Sequence, residues 1–236
     1  MSLSMNAKRQ KQMTKTKPAA SPTRTTPVTS IDTLVMASGN AGKLKEFDRL
    51  LMPLGVKVVS QSSLGVAPAE EPHDTFLENA LAKARHASEQ TGLPALADDS
   101  GICVPALDGL PGVRSARYAT PVDGQSQDAL NNAKLVQALQ SHADKRAYYV
   151  AVLVLVLKAD DPLPVVAQGL WHGEVISSPQ GTHGFGYDPH FWLPGIQATA
   201  AELDPAQKNQ ISHRALAMQS LIGQLTDRGL VAAVAS

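Results

Sequence analysis

Cysteine is almost absent from this chain of 236 residues, which contains a single one, Cys103. One cysteine excludes an intramolecular disulfide and any zinc site built from several cysteines. The scarcity agrees with a reducing compartment, so we expect a cytoplasmic protein in which Cys103 is a small buried apolar residue.

Long hydrophobic runs are absent as well. The longest strongly apolar run, residues 150–157, has eight residues, whereas a membrane-spanning helix needs about 20. The run therefore predicts a buried strand, and we expect no membrane partner.

The chain has no surplus of charge, with 21 basic and 21 acidic residues, but the two signs are unevenly distributed. The first 30 residues contain six basic residues and no acidic one, which leaves 15 basic against 21 acidic residues in the remaining 206. Because proteins that follow a phosphate backbone concentrate positive charge, the acidic body argues against a nucleic acid polymer as partner. Any nucleotide bound by the body is expected to be small.

Residues 1–30 have almost no large apolar side chains and are rich in Lys, Thr, Ser and Pro. Such a segment cannot bury enough surface to offset the entropy of ordering, so we predict a disordered basic leader. Three interpretations of this leader remain open. It can be a solvated tail, an over-long start with Met5 or Met13 as the true initiator, or a nucleic-acid-binding arm. Residues 31–236 are predicted to form one domain of the α/β class.

Strand-like and helix-like segments alternate from residue 31 onward, which predicts a mixed sheet with flanking helices. Helices are predicted after Asn40, from Thr75 (in capping-box spacing with Glu78) to Gly92, over residues 128–142, after Asp204, and from Ser212. Apolar inward positions include Leu77, Leu81 and Ala84 in the second helix, and Leu216, Leu221, Ile222 and Leu225 in the last. Strands are predicted at residues 33–37, 56–59, 95–97, 102–104 and 147–157, with one or two more in 165–176.

The first segment suited to phosphate chemistry is the turn between the first strand and helix. It reads Ser38, Gly39, Asn40, Ala41, Gly42, Lys43. Glycines let the backbone approach an anion, a helix N-terminus offers free amides, and the lysine adds positive charge. The segment matches neither the P-loop nor the dinucleotide-binding fingerprint, and an ordinary turn with a surface lysine is the alternative.

A second segment, residues 98–101, places Asp98 and Asp99 in an acidic turn between two predicted strands. Adjacent carboxylates repel each other unless a cation or hydrogen-bond donors compensate them, which makes a Mg²⁺ site plausible. We expect one aspartate to face a cleft and the other to support the turn, with Glu70 or Glu71 adding a further carboxylate. Solvated acids in an Asx turn are the alternative.

The third segment, residues 184–192, holds four of the ten aromatic residues of the chain. An exposed ring at Phe185, beside glycines, can stack on a nucleobase, and Asp188 can accept hydrogen bonds from ring nitrogens. Phe191 and Trp192 are expected to pack in the core.

The fourth segment surrounds the start of the last helix and contributes Lys208, His213 and Arg214. The lysine and the arginine can only donate hydrogen bonds, and the histidine can donate at least one, so together they suit carbonyl or phosphate oxygens. A solvated basic helix start is the alternative.

In this order, the segments closely resemble the inosine triphosphate pyrophosphatase family, over about residues 34–225. The resemblance implies an elongated mixed β-sheet with flanking helices that form two lobes around a central cleft, usually in a homodimer. It also implies Mg²⁺-dependent hydrolysis of inosine, deoxyinosine or xanthosine triphosphate to the monophosphate and pyrophosphate. The matching segments are residues 38–43, 75–84, 97–101, 111–118, 184–189 and 201–214.

The same resemblance implies roles for single residues. Asp99 would be the general base and would bind the metal together with Glu71. Arg214 or Lys208, as donors, would favour the carbonyl at purine position six over the amino group of adenine by about 1–3 kcal/mol. The substrate-binding residues would be Ser38, Gly39, Asn40, Ala41, Gly42 and Lys43 for the triphosphate, Ser100, and Phe185, Gly186, Tyr187, Asp188, Lys208, His213 and Arg214 around the base and sugar.

Two other functions stay open at this point. The scaffold can serve a pyrophosphatase for other modified nucleotides, or a nucleotide-binding sensor without turnover. A panel of substrates separates the first from the leading hypothesis, and binding without turnover in the presence of Mg²⁺ identifies the second.

Overall fold

A computed structural model of the protein describes residues 30–232. The leader predicted for residues 1–30 lies outside the described residues except for Ser30. No helix within 30–232 has the length and apolar character needed to cross a membrane.

Strands and helices alternate along the described chain, as predicted. The strands are β1 (Thr33–Met36), β2 (Lys57–Ser60), β3 (Ala95–Cys103), β4 (Arg146–Val156), β5 (Val165–Val175), β6 (Phe191–Leu193) and β7 (Ala198–Thr199). The α-helices are α1 (Ala41–Leu51), α2 (Phe76–Thr91), α3 (Gln127–Leu139), α4 (Pro205–Ile211) and α5 (His213–Asp227). Short 3₁₀ helices lie at Met52–Leu54, Ser62–Leu64, Pro105–Leu107, Gly112–Arg117 and Asp188–His190.

Local capping signals explain where the helices begin and end. The Oγ1 atom of Thr75 accepts a hydrogen bond from the Glu78 amide at 3.2 Å, and Gly92 ends α2 in the left-handed conformation with φ of 69°. Asp204 and Ser212 cap α4 and α5 through their side chains. These helix limits confirm the sequence predictions, because each depends on residues close together in the chain.

The strands form one seven-stranded mixed sheet in the order β2-β1-β3-β4-β5-β6-β7. β1 pairs in parallel with β2 and β3, and the pairs from β3 to β7 are antiparallel. The predicted mixed sheet with flanking helices is confirmed, and the apolar segment 165–176 supplies one strand.

Both faces of the sheet are covered by helices. On one face, α2 packs small residues such as Ala80 and Ala84 against valines of β4. On the other face, α1 and α5 pack around Phe47 and Leu221, and a separate aromatic cluster around Phe191 lies with α3. A cleft separates these two clusters on the same face of the sheet.

The prediction of two short strands around an acidic turn is wrong. β3 continues through Asp98 and Asp99 and pairs with β4 along its whole length. The strand does not turn there because each carboxylate meets a cation on its own face of the sheet, Lys43 for Asp98 and Lys83 for Asp99.

Two predicted inward positions are also wrong. Leu77 is 44% exposed and Leu216 is 38% exposed. Leu77 lies in the first turn of α2, and α5 presents Met218, Leu221 and Leu225 to the sheet instead. The helix predicted for residues 128–142 ends earlier, at Leu139.

Candidate active site

A cavity of about 530 Å³ lies in the cleft between the cluster around Phe47 and Leu221 and the aromatic cluster around Phe191. Its walls come from α1, the centre of β3, the start of α3, residues 183–188, and the region where α4 meets α5. The structure brings together at this cavity the following predicted site residues: Asn40, Lys43, Ser100, Phe185, Gly186, Tyr187, Asp188, Lys208, His213 and Arg214.

Other predicted site residues do not line this cavity. They are Ser38, Gly39, Gly42, Glu71 and Asp99. Gly42 lines an adjoining groove of about 440 Å³, which it shares with Lys43 and Arg214. Asp99 and Glu71 lie on the opposite face of β3, where they form a separate cluster with Lys83.

The turn before α1 differs from the expected open anion site. The Oδ1 atom of Asn40 accepts hydrogen bonds from the amides of Gly42 at 2.9 Å and Lys43 at 3.1 Å. The prediction of free helix amides is therefore wrong for these two groups, because the asparagine side chain caps the helix. The Lys43 ammonium remains as the cationic group that this turn contributes to the cavity.

Asp98 is buried behind the cavity wall and holds two of its cations. Its Oδ2 atom lies 2.9 Å from Nζ of Lys43 and 3.0 Å from Nε of Arg214, and Oδ1 accepts a hydrogen bond from Ser100. Burial alone would raise the pKa of Asp98, but the charges of Lys43 and Arg214 lower it well below its usual value. Arg214 also donates to Glu46 of α1 at 3.2 Å. A single buried carboxylate thus joins α1 and α5.

Asp99 points away from Asp98 because adjacent strand residues face opposite sides of a sheet. Its Oδ1 atom lies 2.8 Å from Nζ of Lys83, which is also 2.9 Å from Oε1 of Glu71. The Oδ2 atom of Asp99 is buried and has no hydrogen-bond partner within residues 30–232. Burial raises the pKa of Asp99 despite the opposing charge of Lys83.

Lys83 is a site residue that the sequence prediction missed. Burial opposes its charge, yet Asp99 and Glu71 raise its pKa. A signal was present, because Lys83 shares the buried face of α2 with Ala80, Ala84 and Ala87. A lysine on a small-residue face that packs against a sheet indicates a buried counterion.

The wall formed by residues 184–188 carries an exposed aromatic ring. Phe185 is 64% exposed, and Nζ of Lys208 lies 5.4 Å from the centre of its ring. Asp188 organises this wall, since its Oδ2 atom binds Lys208 and accepts from the Phe185 amide at 2.9 Å. The hydroxyl of Tyr149 donates to the other oxygen of Asp188 at 3.3 Å. The predicted exposure of Phe185 and burial of Phe191 are confirmed, while Trp192 is half-buried.

His213 lines the cavity as a neutral ring. It stacks on Tyr149, with ring centres 4.7 Å apart and planes inclined by 11°. Burial, followed by the charge of Arg214, lowers the pKa of His213 to about 3. Its Nδ1 atom is buried and has no hydrogen-bond partner among the described residues.

The cavity therefore combines an exposed aromatic ring, polar side chains and cations that are held by carboxylates. The Ham1 family model matches residues 34–224, which is most of the chain. The chain belongs to the Ham1 family. This assignment confirms the resemblance found in the sequence.

Relatives and solved structures of the Ham1 family are similar over most of this chain. A dITP/XTP pyrophosphatase of Bordetella pertussis is 60% identical over 198 residues, which cover 84% of this chain and 93% of the relative. One of Burkholderia pseudomallei is 60% identical over 192 residues, covering 81% and 92%. The solved structure of a HAM1 protein from Coxiella burnetii is 46% identical with a TM-score of 0.79, covering 83% of this chain and 98% of that one.

Proposed function

We propose that this protein hydrolyses deaminated purine nucleoside triphosphates, among them ITP, dITP and XTP, to the monophosphate and pyrophosphate. The observation that carries the proposal is the composition of the cavity. The Phe185 ring, the donors Lys208 and Arg214, and the Lys43 ammonium all line it. The names of the relatives from Bordetella pertussis and Burkholderia pseudomallei support the same reaction.

The base is proposed to bind between the 184–188 wall and His213. Phe185 offers a face for stacking, and Lys208 and Arg214 donate to the carbonyl at purine position six. The Nε and Nη1 atoms of Arg214 already donate to Asp98 and Glu46, which fixes the guanidinium plane. Among the described residues Nη2 has no such partner, so it can donate to a ligand. Adenine presents an amino group at the same position, so donor would face donor.

The triphosphate is proposed to extend from the cavity past the turn of residues 38–43. β1 stops pairing with β3 at Met36 and Leu96, so the edge of β3 beyond that point borders this turn instead of a strand. Lys43 lies on the cavity face of that edge, and Asp99 lies on the other face with Lys83. Phosphates at the edge can therefore meet both groups, although Asp99 does not line the cavity.

The cluster on the far side of β3 fits a divalent cation. In the part of the chain that the structure describes, Asp99 has a buried oxygen without a hydrogen-bond partner, and Glu71 binds the same lysine. No group of three or more metal-binding side chains occurs within residues 30–232, but Mg²⁺ commonly takes one or two protein carboxylates and fills its other positions with water and phosphate oxygens. We propose that Asp99 and Glu71 hold Mg²⁺.

Bound Mg²⁺ would neutralise charge on the phosphates and favour ionisation of a water. Asp99 is proposed to orient the attacking water and accept its proton, a role suited to a carboxylate whose pKa is raised. Lys83 keeps Asp99 and Glu71 together, and Lys43 balances charge on the leaving pyrophosphate.

Pyrophosphate release from ITP, dITP, XTP, GTP and ATP in the presence of Mg²⁺ tests the proposal. We expect release from the first three, loss of release with a chelator, and recovery when Mg²⁺ is restored. Orthophosphate as the sole first product would contradict the reaction.

Replacement of the proposed base gives a second test. Asp99→Asn should abolish turnover, while urea denaturation should show that the protein is folded. Asp144→Asn, at a half-buried residue paired with Arg146, should keep full activity. Tight nucleotide binding by the unmodified chain without any turnover would favour a sensor instead.

A homodimer and a cytoplasmic location are proposed on the family resemblance. The single cysteine is consistent with a reducing compartment. Light scattering coupled to size-exclusion chromatography tests the dimer, and a monomeric mass at micromolar concentration would contradict it.

A further inference from the structure

The loop of residues 183–186 has a cavity on each side. One side borders the main cavity, and the other borders a second cavity of about 540 Å³ against α3. Because the loop borders a cavity on both sides, few side chains pack against it, and its geometry depends on hydrogen bonds. The loop carries Phe185, whose ring is the exposed face of the nucleobase wall.

Two side chains of α3 hold the tip of this loop. The Oδ2 atom of Asp128 accepts a hydrogen bond from the Gly186 amide at 2.8 Å. The Nδ2 atom of Asn132 donates to the Gly186 carbonyl oxygen at 2.8 Å and to the Asp128 carbonyl oxygen at 2.9 Å, which orients the amide. Because the two residues are four apart, they lie on one face of the helix and contact both polar groups of Gly186.

The backbone around Phe185 makes these contacts consequential. Gly184 and Gly186 have φ values of 79° and 62°, in the left-handed region that favours glycine. Asp188 holds the Phe185 amide on the Gly184 side. On the other side, rotation about the backbone of Gly186, which has no side chain of its own, would move the Phe185 ring. Holding the N–H and C=O groups of Gly186 removes that freedom at the tip.

We propose that Asp128 and Asn132 are positioning residues that fix the Phe185 ring in the place where a purine base stacks. The inference rests on the proposed function, because it assigns the ring to base binding. It predicts an effect on nucleotide affinity, while the groups proposed for hydrolysis on the far side of β3 stay unchanged.

Two nearly isosteric exchanges separate this role from general support of α3. Position 128 needs an acceptor, and Asp128→Asn keeps a carbonyl oxygen there. Position 132 needs a donor, and Asn132→Asp places a carboxylate oxygen against the Gly186 carbonyl. A purely helical role would make Asp128→Asn as damaging as Asp128→Ala, because an acid in the first turn favours a helix and both variants remove it.

The experiment measures kcat and KM for dITP with the full chain and with Asp128→Ala, Asp128→Asn and Asn132→Asp. We expect Asp128→Ala and Asn132→Asp to raise KM about tenfold or more, the factor that loss of one base–aromatic stack represents. Their kcat should stay within about threefold, and Asp128→Asn should recover most of the affinity.

A matched control is Asp161→Ala. Asp161 also accepts two backbone N–H bonds in a loop, from Leu157 and Leu163, but it lies between β4 and β5 away from the cavity. Its KM should equal that of the unmodified chain.

The proposal is overturned if all the α3 variants keep KM within about twofold, if kcat falls while KM is constant, or if Asp128→Asn behaves like Asp128→Ala. Should Asp128→Ala not fold, Asp128→Asn and Asn132→Asp decide, and equal KM values for these two variants overturn the proposal. Absence of turnover by the unmodified chain contradicts the proposed function, whereas normal turnover there with unchanged KM in the variants contradicts the positioning role alone.

Discussion

Lys83 donates a hydrogen bond to Asp99, with 2.8 Å between Nζ and Oδ1. Its other two N–H groups point to Oε1 of Glu71 at 2.9 Å and to the carbonyl oxygen of Asp98 at 3.0 Å. All three donors of the ammonium are thus satisfied by fixed acceptors. The lysine is the counterion that allows two carboxylates to stay close on this face of β3.

Replacement of this counterion should affect both folding and turnover. Lys83→Met leaves Asp99 largely buried without its cation, so we expect the free energy of unfolding to fall by about 3 kcal/mol. Turnover of dITP should fall at least about a hundredfold, because the two carboxylates lose their common anchor. Urea denaturation and pyrophosphate release measure the two effects.

Lys158→Met is the control for this variant, since it removes an exposed lysine that pairs with Asp160. Its urea midpoint and its turnover should match those of the unmodified protein. Equal midpoints for Lys83→Met and the unmodified protein would show that the buried ion pair does not stabilise the fold.

Folding stability should depend on pH through His213. The pKa of His213 is about 3 in the folded protein, against an ordinary value of 6.5, so the unfolded chain binds a proton that the folded chain rejects. The stabilising contribution is complete above pH 6.5 and is lost as the pH falls from 6.5 towards 3. The slope approaches about 1.4 kcal/mol per pH unit in that window.

His213→Phe keeps an aromatic ring against Tyr149 and removes the titrating group. The difference in free energy of unfolding between the variant and the unmodified protein should therefore change in favour of the variant between pH 7 and pH 5. Urea denaturation at several pH values measures it. A difference that is constant over this range would mean that His213 is not held neutral.

Local sequence signals predicted most of the helices and strands. Thr75, Gly92 and Ser212 mark helix limits through contacts within a few residues, so no knowledge of the fold was needed. The long apolar strands were equally evident, because β4 is buried on both faces along most of its length.

The candidate site was predictable as a set of segments and unpredictable as a geometry. Asp98 meets Arg214 across 116 positions of sequence, and Asp99 meets Lys83 across 16. Two adjacent acids therefore suggested an acidic turn, whereas the fold supplies cations to both faces of a continuous strand. The cap formed by Asn40 was predictable, because asparagine is a favoured N-cap residue, but the sequence prediction assigned the helix amides to an anion instead.

The close approach of α5 to β5 gives a test of how the fold positions His213. A Cβ atom on Gly169 would lie 2.0 Å from the His213 carbonyl oxygen and 2.6 Å from the Ala217 amide nitrogen. Both are backbone atoms, so Gly169→Ala must push the start of α5 away from the sheet. We expect a loss of about 1–3 kcal/mol in the free energy of unfolding and a higher KM for dITP.

Gly223→Ala is the matched control for this effect. It lies in the same helix, and a Cβ there meets nothing within 4 Å. Alanine is the better helix former, so this variant should gain about 0.5–1 kcal/mol and keep KM. Equal stability of Gly169→Ala and the unmodified protein would contradict a close contact between β5 and α5 at this position.

The exposed ring of Phe185 should contribute to binding and very little to folding. Because the side chain is 64% exposed, Phe185→Ala should change the free energy of unfolding by less than about 0.5 kcal/mol. Loss of stacking on the base should raise KM for dITP about tenfold, while Phe185→Tyr, which keeps the ring, should leave it nearly unchanged. Leu163→Ala, at a residue 68% exposed in another loop, controls for removal of an apolar surface group. An unchanged KM in Phe185→Ala would place the base elsewhere in the cavity, and steady-state kinetics with dITP and dATP decides between these outcomes.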